Sequence, residues 1–321
     1  MKRRSVLLLA LAAALPAARA QTETWPSKPV RVVVPFPPGG GTDLMARVMA
    51  ARLTEDLGQT FFVENRAGAG GMIGAEFVAR AQPDGYTVIF VPSSYASSAN
   101  PALYKLSFDP LRGIAPVAQL STQAYMLAVH PSVKANNLKE LIELLRANPN
   151  TLSFGSSGTG GSLHLCVEML LQLTRTQMLH VPYKGAGPAM SDLLAGRIHL
   201  IITDQGTVLP HIRAGKLRGI AVTPEQRSPL APDLPPLKEQ VPGYSMHGWY
   251  GVWAPPGTPQ EIIARLNQAL GQVLKHPEVR SRMQAEGVDP VHSTPEEFSR
   301  LIAKDLATWG KVIKDGNIKV E

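Results

Sequence analysis

The sequence predicts an α/β protein of two lobes, and three observations carry that prediction. Short β-branched runs alternate with amphipathic helical patterns along most of the chain, the pattern of sheets covered by helices. A compound device recurs, in which an apolar run leads through a glycine-rich turn into a helix; it occupies residues 30–53 and 152–173, and more loosely 61–81. The chain also changes character twice, near residues 125–131 and again between Pro224 and Trp249, as though it left one unit and returned to it.

The first twenty residues stand apart. Lys2, Arg3 and Arg4 form a basic start, residues 6–15 a short apolar core, and Ala18-Arg19-Ala20 an A-x-A cleavage site. This is a secretory signal peptide, too short for a stable membrane span, and cleavage is expected after Ala20. No cysteine stands at the cleavage site after the apolar core, which argues against a lipoprotein. No later stretch has eighteen uninterrupted apolar residues, so the mature chain is expected to be a soluble periplasmic protein. Losing Lys2, Arg3, Arg4 and Arg19 lowers the formal charge from +7 to +3, and no basic stripe for nucleic acid remains. The single cysteine, Cys166, sits in an apolar helix pattern and reads as a small buried hydrophobe.

Strands are expected at Val30–Val34, 61–63, 87–91, Tyr125–Val129, 177–181, 199–203, 217–222 and 249–253. Helices are expected at 42–57, stopping at Gly58; at Leu138–Ala147, capped by Asn137; and at 162–173 and 188–194. Strands alternating with helices imply parallel sheets. Thr258-Pro259-Gln260-Glu261 and Thr294-Pro295-Glu296-Glu297 each read as a capping box with proline at the first helical position. They open amphipathic helices that should cover the first lobe. Six prolines from Pro224 to Pro242 make an extended, semi-rigid connection. The expected division is residues 21–129 with 246–321 as lobe 1 and 130–245 as lobe 2, with hinges near residues 129–131 and 245–249.

Function is narrowed by what the motifs fail to match. The turn G-A-G-G-M-I-G at 68–74 places Ile73 where a dinucleotide fingerprint needs glycine, and the following strand ends in Pro92-Ser93-Ser94 rather than an acid. No phosphate-binding G-x-x-x-x-G-K-[ST] occurs. The eight histidines lack metal spacing, so neither metal nor cofactor is expected. Ser156, Ser157, Ser162 and His164 invite a hydrolase reading, but G-x-S-x-G is absent, and serines before a helix more often serve as caps. Asp43 and Asp204 read as loop braces. The glycine turns matter more. Each aims free N–H groups and the positive end of a helix at one point, and two such points, far apart in sequence, suit one small anion held between two lobes.

Several segments together resemble the Bug family of extracytoplasmic solute receptors for tripartite tricarboxylate transporters. They are Pro35-Phe36 with Gly39-Gly40 and Asp43; Glu64-Asn65-Arg66 with residues 68–71; and Pro83-Asp84-Gly85-Tyr86. Ser156-Ser157-Gly158 with His164, His180-Val181-Pro182-Tyr183-Lys184-Gly185, Pro210-His211-Ile212 and Ala214-Gly215-Lys216-Leu217 complete the set. The resemblance implies a Venus-flytrap fold, type II-like, with crossing hinge strands. It implies a monomeric, non-catalytic protein that binds a small carboxylate through backbone N–H groups and ordered water, and delivers it to membrane permease subunits. Carried over by position, it implies binding residues Phe36, Gly39, Gly40, Gly41, Thr42 and Ser93 in the first lobe. In the second it implies Ser156, Ser157, Gly158, His164, Tyr183, Lys184, Gly185 and Asp204. The chain departs from the family's usual pattern at Gly161, His199 and Gln205, all in the second lobe. A periplasmic hydrolase using a serine of the 156–162 loop is the alternative.

Overall fold

The computed structural model describes residues 25–320; the expected secretory signal and cleavage after Ala20 lie outside the described residues. The first half of the chain runs β1 (Val30–Val34), α1 (Gly41–Leu57), β2 (Phe61–Asn65), α2 (Met72–Ala79), β3 (Thr87–Pro92), α3 (Ser94–Ser98), β4 (Ala115–Gln119), β5 (Ser121–Gln123), β6 (Tyr125–Val129) and α4 (Leu138–Ala147). It continues as β7 (Ser153–Ser156), α5 (Ser162–Thr174), β8 (Leu179–Pro182), α6 (Ala186–Leu194), β9 (Leu200–Asp204), α7 (Gln205–Arg213) and β10 (Arg218–Val222). After the proline-rich connection come β11 (Tyr250–Ala254), α8 (Gln260–Val273), α9 (Pro277–Ala285), β12 (Val288–Pro290) and α10 (Pro295–Asp315).

These strands form two five-stranded sheets, ordered β2-β1-β3-β11-β4 and β10-β6-β9-β7-β8, and a short pair, β12-β5. The valines of β1 are buried on both faces, as expected of a strand sandwiched between helix layers. The expected all-parallel pairing holds only in part. β1 runs parallel to β2 and β3, and β7 to β8 and β9. β11 is antiparallel to both β3 and β4, and β6 to both β9 and β10. The reason is topological: β6 and β11 enter their sheets from the other unit rather than from a helix crossover, and so arrive in the opposite sense.

The change of sheet also sits earlier than a boundary at residue 129 would put it. β6 is hydrogen-bonded to β9 and β10, so it belongs to the second sheet, and the outgoing crossing lies at residues 121–124. There it meets the returning crossing directly. Gln123 and Gly248 exchange backbone hydrogen bonds, both 2.9 Å long. Only glycine fits at 248, because a Cβ there would stand 2.5 Å from Gln123 Cγ and 2.7 Å from the Tyr125 hydroxyl.

Local signals act as chemistry dictates at three helix ends. α1 stops at Gly58 in the left-handed conformation, and the Asn137 side chain accepts from Glu140 N–H to cap α4. The Thr294 capping box is formed in full. The Thr258 box is not. Its hydroxyl donates to the Pro255 carbonyl at 2.8 Å, and α8 starts after Pro259. α10 buries a stripe of Phe298, Ile302, Leu306, Trp309 and Ile313. It packs on β4 and α3, and also on α5 of the second unit, where Gln172 Nε2 donates to the Val312 carbonyl at 2.9 Å. The last helix therefore spans both units rather than covering one.

Candidate functional site

A cavity of about 570 Å³ lies between the two sheets, walled by residues of both. The first sheet's side supplies Phe36, Gly41, Thr42 and Met45, with Ser94, Ser98 and Tyr250. The second supplies Ser157, Gly158, Thr159, Ser162, Asp204 and Thr207. The crossing itself forms the floor with Gln123, Ala124 and Tyr125.

The cavity is a meeting point of helix starts. The first-turn residues Gly41 and Thr42 of α1, Ser162 and Leu163 of α5, Ala186 of α6, and Gln205 and Thr207 of α7 all line it. The residues before these helices are Gly40, Gly161, Gly185 and Asp204, and none has a side chain on the first-turn N–H groups. Four helix N-termini thus present backbone donors and positive dipole ends to one space.

On the α1 side a brace holds the loop. Asp43 Oδ2 accepts from Gly39 N–H at 2.9 Å and from Arg47 Nε at 3.0 Å, while Oδ1 accepts from Asn65 Nδ2 at 2.8 Å. Asn65 Nδ2 also donates to the Phe36 carbonyl at 3.0 Å. The Arg47 hydrogen bond, with those from Gly39 and Asn65, outweighs burial and holds the Asp43 carboxyl down at about 2. Asp43 is the loop brace that its position suggests, turned away from the cavity.

On the α5 side an imidazole stack plays the same part. The His164 and His180 rings stack with centroids 3.8 Å apart, and Phe154 stacks against both. His164 Nδ1 accepts from Gly160 N–H at 3.0 Å, and His180 Nε2 lies 2.7 Å from Ser156 Oγ. Burial, helped by the neighbouring His164, lowers His180 to about 4, so its ring is neutral at ordinary pH. Gly158 has φ of +137°, a backbone that L side chains rarely adopt, and its N–H donates to Ser156 Oγ at 3.2 Å.

The sequence-derived residues therefore divide. Phe36, Gly41, Thr42, Ser157, Gly158 and Asp204 reach the cavity wall. Gly39 and Gly40 precede Gly41 in the braced loop and Gly185 precedes Ala186, but none of the three is on the cavity wall itself. Ser93 is fully buried, with Oγ 3.1 Å from the Tyr125 hydroxyl; its neighbours Pro92 and Ser94 face the cavity instead. Ser156 and His164 are buried behind the 157–161 loop. Tyr183 is tied to Asp192 at 2.8 Å, and Lys184 is exposed; neither lines the cavity. Sequence reasoning did not single out Tyr104, Tyr250, Gln123 or residues 286–288, which come from connections and from the far end of the chain. Only the tertiary fold brings them here.

Ser156 and His180 have the separation of a nucleophile and its base, but not the setting. Ser156 is inaccessible, and no carboxylate orients His180 among the described residues. Nor do the described residues hold any group of three or more His, Cys, Asp or Glu side chains suited to a metal ion.

Residues 45–318 match the model of the tripartite tricarboxylate transporter family receptor. The chain is 35% identical over 319 residues to protein BugT of Bordetella pertussis, covering 99% of this chain and 98% of that one. Among solved structures it resembles an R. palustris protein determined with adipate, at 35% identity and a TM-score of 0.80, covering 92% of this chain and all of the other. It also resembles MatC of Rhodopseudomonas palustris with bound malate, at 30% identity and a TM-score of 0.78, covering 90% of this chain and all of the other.

Proposed function

The chain belongs to the tripartite tricarboxylate transporter receptor family, as a Bug-type, two-lobed periplasmic binding protein, and from that premise we propose how it holds its solute. It is a receptor rather than an enzyme, and the hydrolase alternative falls with the family assignment. In our reading a small carboxylate sits between the lobes, with an oxygen set toward the starts of α1, α5, α6 and α7. The observation that carries this is the convergence of four uncapped helix N-termini on one cavity. Adipate and malate in the two solved relatives support the carboxylate class.

We take β6 to β10 as the moving lobe and the Gln123–Gly248 crossing as its hinge. The first lobe supplies the start of α1 and the moving lobe those of α5, α6 and α7, so full contact requires closure, and ligand shifts the population toward the closed form. A loaded monomer then passes the solute to the permease subunits of a tripartite transporter. Small dicarboxylates, tricarboxylates or acidic amino acids should raise the melting temperature, while neutral analogues of equal size leave it unchanged. A ligand at one hundred times its Kd stabilises by about 2.7 kcal/mol. The same ligand should reduce the radius of gyration in solution scattering. If every carboxylate fails while a sugar or a cation gives a clear shift, the carboxylate reading is wrong.

Export is the second part of the reading. The basic start, apolar core and A-x-A site at residues 1–20 support cleavage after Ala20. N-terminal sequencing of periplasmic material should begin at Gln21, and an intact Met1 on the exported protein would defeat it.

A further inference from the structure

The end of α10 is built to send the chain in one direction. Asn317 is left-handed, with φ of +49°, and its N–H donates to the Lys314 carbonyl at 3.2 Å. Ile318 N–H reaches back to the Ile313 carbonyl at 3.0 Å. This pair of bonds is a Schellman motif, which satisfies late helix carbonyls and fixes the exit of the chain. Ile318 and Val320 are then half-buried, with exposed Lys319 between them. Such alternation lays one edge of an extended segment on a surface.

That surface belongs to the second unit and to the turn after α3. Gln172 of α5 covers the end of α10, since a Cβ at Gly316 would stand 2.8 Å from its Nε2. Ile318 packs on the apolar core, and Val320 reaches Gly160 in the 157–161 loop. Thr159 and Gly161 of that loop line the cavity, whereas Gly160 is buried behind it. Its N–H is held by His164 Nδ1, and its φ is +77°. A Cβ at Gly160 would stand 2.9 Å from Leu103 Cδ1 and 3.2 Å from Val320 Cγ1, so its bare α-carbon is the seat of both side chains. The turn that carries Leu103 is tied to α10 as well, because Asn100 Nδ2 donates to the Leu306 carbonyl at 2.8 Å. Trp249 Nε1 of the returning crossing donates to Asp305 Oδ2 at 2.8 Å, which pins α10 beside the hinge.

On the reading proposed above, in which the 157–161 loop and the start of α5 help hold the solute, we infer that residues 317–320 are a strap that sets the affinity of that loop from outside the cavity, with Val320 as its positioning residue. None of these residues lines the cavity. Gly158 and Gly160 both have positive φ and give the loop freedom that is costly to lose when it orders on a solute. Val320, with Leu103, removes that freedom beforehand, and preordering raises affinity without a contact to the solute.

The test joins isothermal titration to hydrogen exchange in the whole protein. The variants are Val320→Ser, a chain ended at Gly316, and Lys319→Ala as the control from the same segment. The probe is whichever of adipate, L-malate, citrate and L-glutamate wild type binds most tightly. Val320→Ser should weaken it about fivefold, the shortened chain about tenfold or more, and Lys319→Ala less than about twofold. In solute-free protein, amide exchange across residues 157–161 should quicken at least about threefold in Val320→Ser, while exchange in β6 stays as in wild type. Should the shortened chain fail to fold, Val320→Ser decides alone. Wild-type affinity in Val320→Ser overturns the strap. So does loop exchange that is unchanged, or that quickens equally in β6, since the effect would then be on global stability. If none of the four probes binds wild type, the carboxylate reading falls, and the exchange of the solute-free loop still decides the strap.

Discussion

Asp43→Ala should destabilise the protein by about 2–4 kcal/mol and weaken solute binding, although Asp43 does not touch the cavity. The magnitude follows from what is lost. Hydrogen bonds to a charged group are each worth about 1.5–3 kcal/mol, and their partners would be left unmet. Gly39 N–H, Arg47 and Asn65 all lose their acceptor, and Asp43 as a residue is only 4% exposed, so water replaces its carboxylate poorly. The loop before α1 would then lose the anchor that fixes Gly39 and, through Asn65, Phe36.

The same brace predicts an acid dependence with a definite sign. The folded carboxyl sits at about 2, below its ordinary value of 3.8. A depressed group gives stability that is fully present above its unfolded pKa and is lost as pH falls through the folded one. Wild type should therefore lose this contribution between pH 4 and pH 2, while Asp43→Asn, with nothing to protonate, should not. Other carboxylates titrate in that window, so the quantity to measure is the difference between the two proteins in urea unfolding at each pH. The gap should be widest at neutral pH and narrow on acidification. Parallel curves would show that the brace is not ionic.

How much of this was legible depends on whether the signal was local. β1 and β6 fall at their expected residues because each is an apolar run bounded by breakers. α7 was not expected. Pro210 lies inside it, and proline costs a helix interior about 3 kcal/mol, so propensity points the wrong way there. β5 and β12 are three residues each and are formed by tertiary pairing, β12 on β5. The two T-P-x-E segments show the limit most plainly: the same letters form a capping box at Thr294 and a turn at Thr258. At the site, the glycine turns were readable because donors and helix start are adjacent in sequence. His164 was readable as a neighbour of the second turn but not as its support, since its ring partners Phe154 and His180 come from other strands. Glu286 and Tyr250 carry no local mark at all.

Gly158→Val should weaken solute binding by about a hundredfold or more, equivalent to about 2.7 kcal/mol. Gly40→Val should do likewise, and Lys184→Ala should stay within about twofold of wild type. The two glycines act for different reasons. At Gly158 the φ of +137° is strained for any side chain, so valine must move the loop that presents Ser157 and the start of α5. At Gly40 the backbone is ordinary, with φ of −83°, and a Cβ there meets nothing within 4 Å. That variant should fold as wild type, and its branched side chain would stand beside Gly41 where the solute approaches the first-turn N–H groups of α1. Lys184 lies on the surface, makes no ion pair among the described residues and is absent from the cavity wall. Its loss removes charge from solvent and leaves the donor array whole. Titration of all three variants, with circular dichroism as the check on folding, separates two designs for an anion site. Binding lost in Lys184→Ala and kept in both folded glycine variants would make this a side-chain ion-pair site, and the four helix starts would then be scaffolding rather than the means of capture.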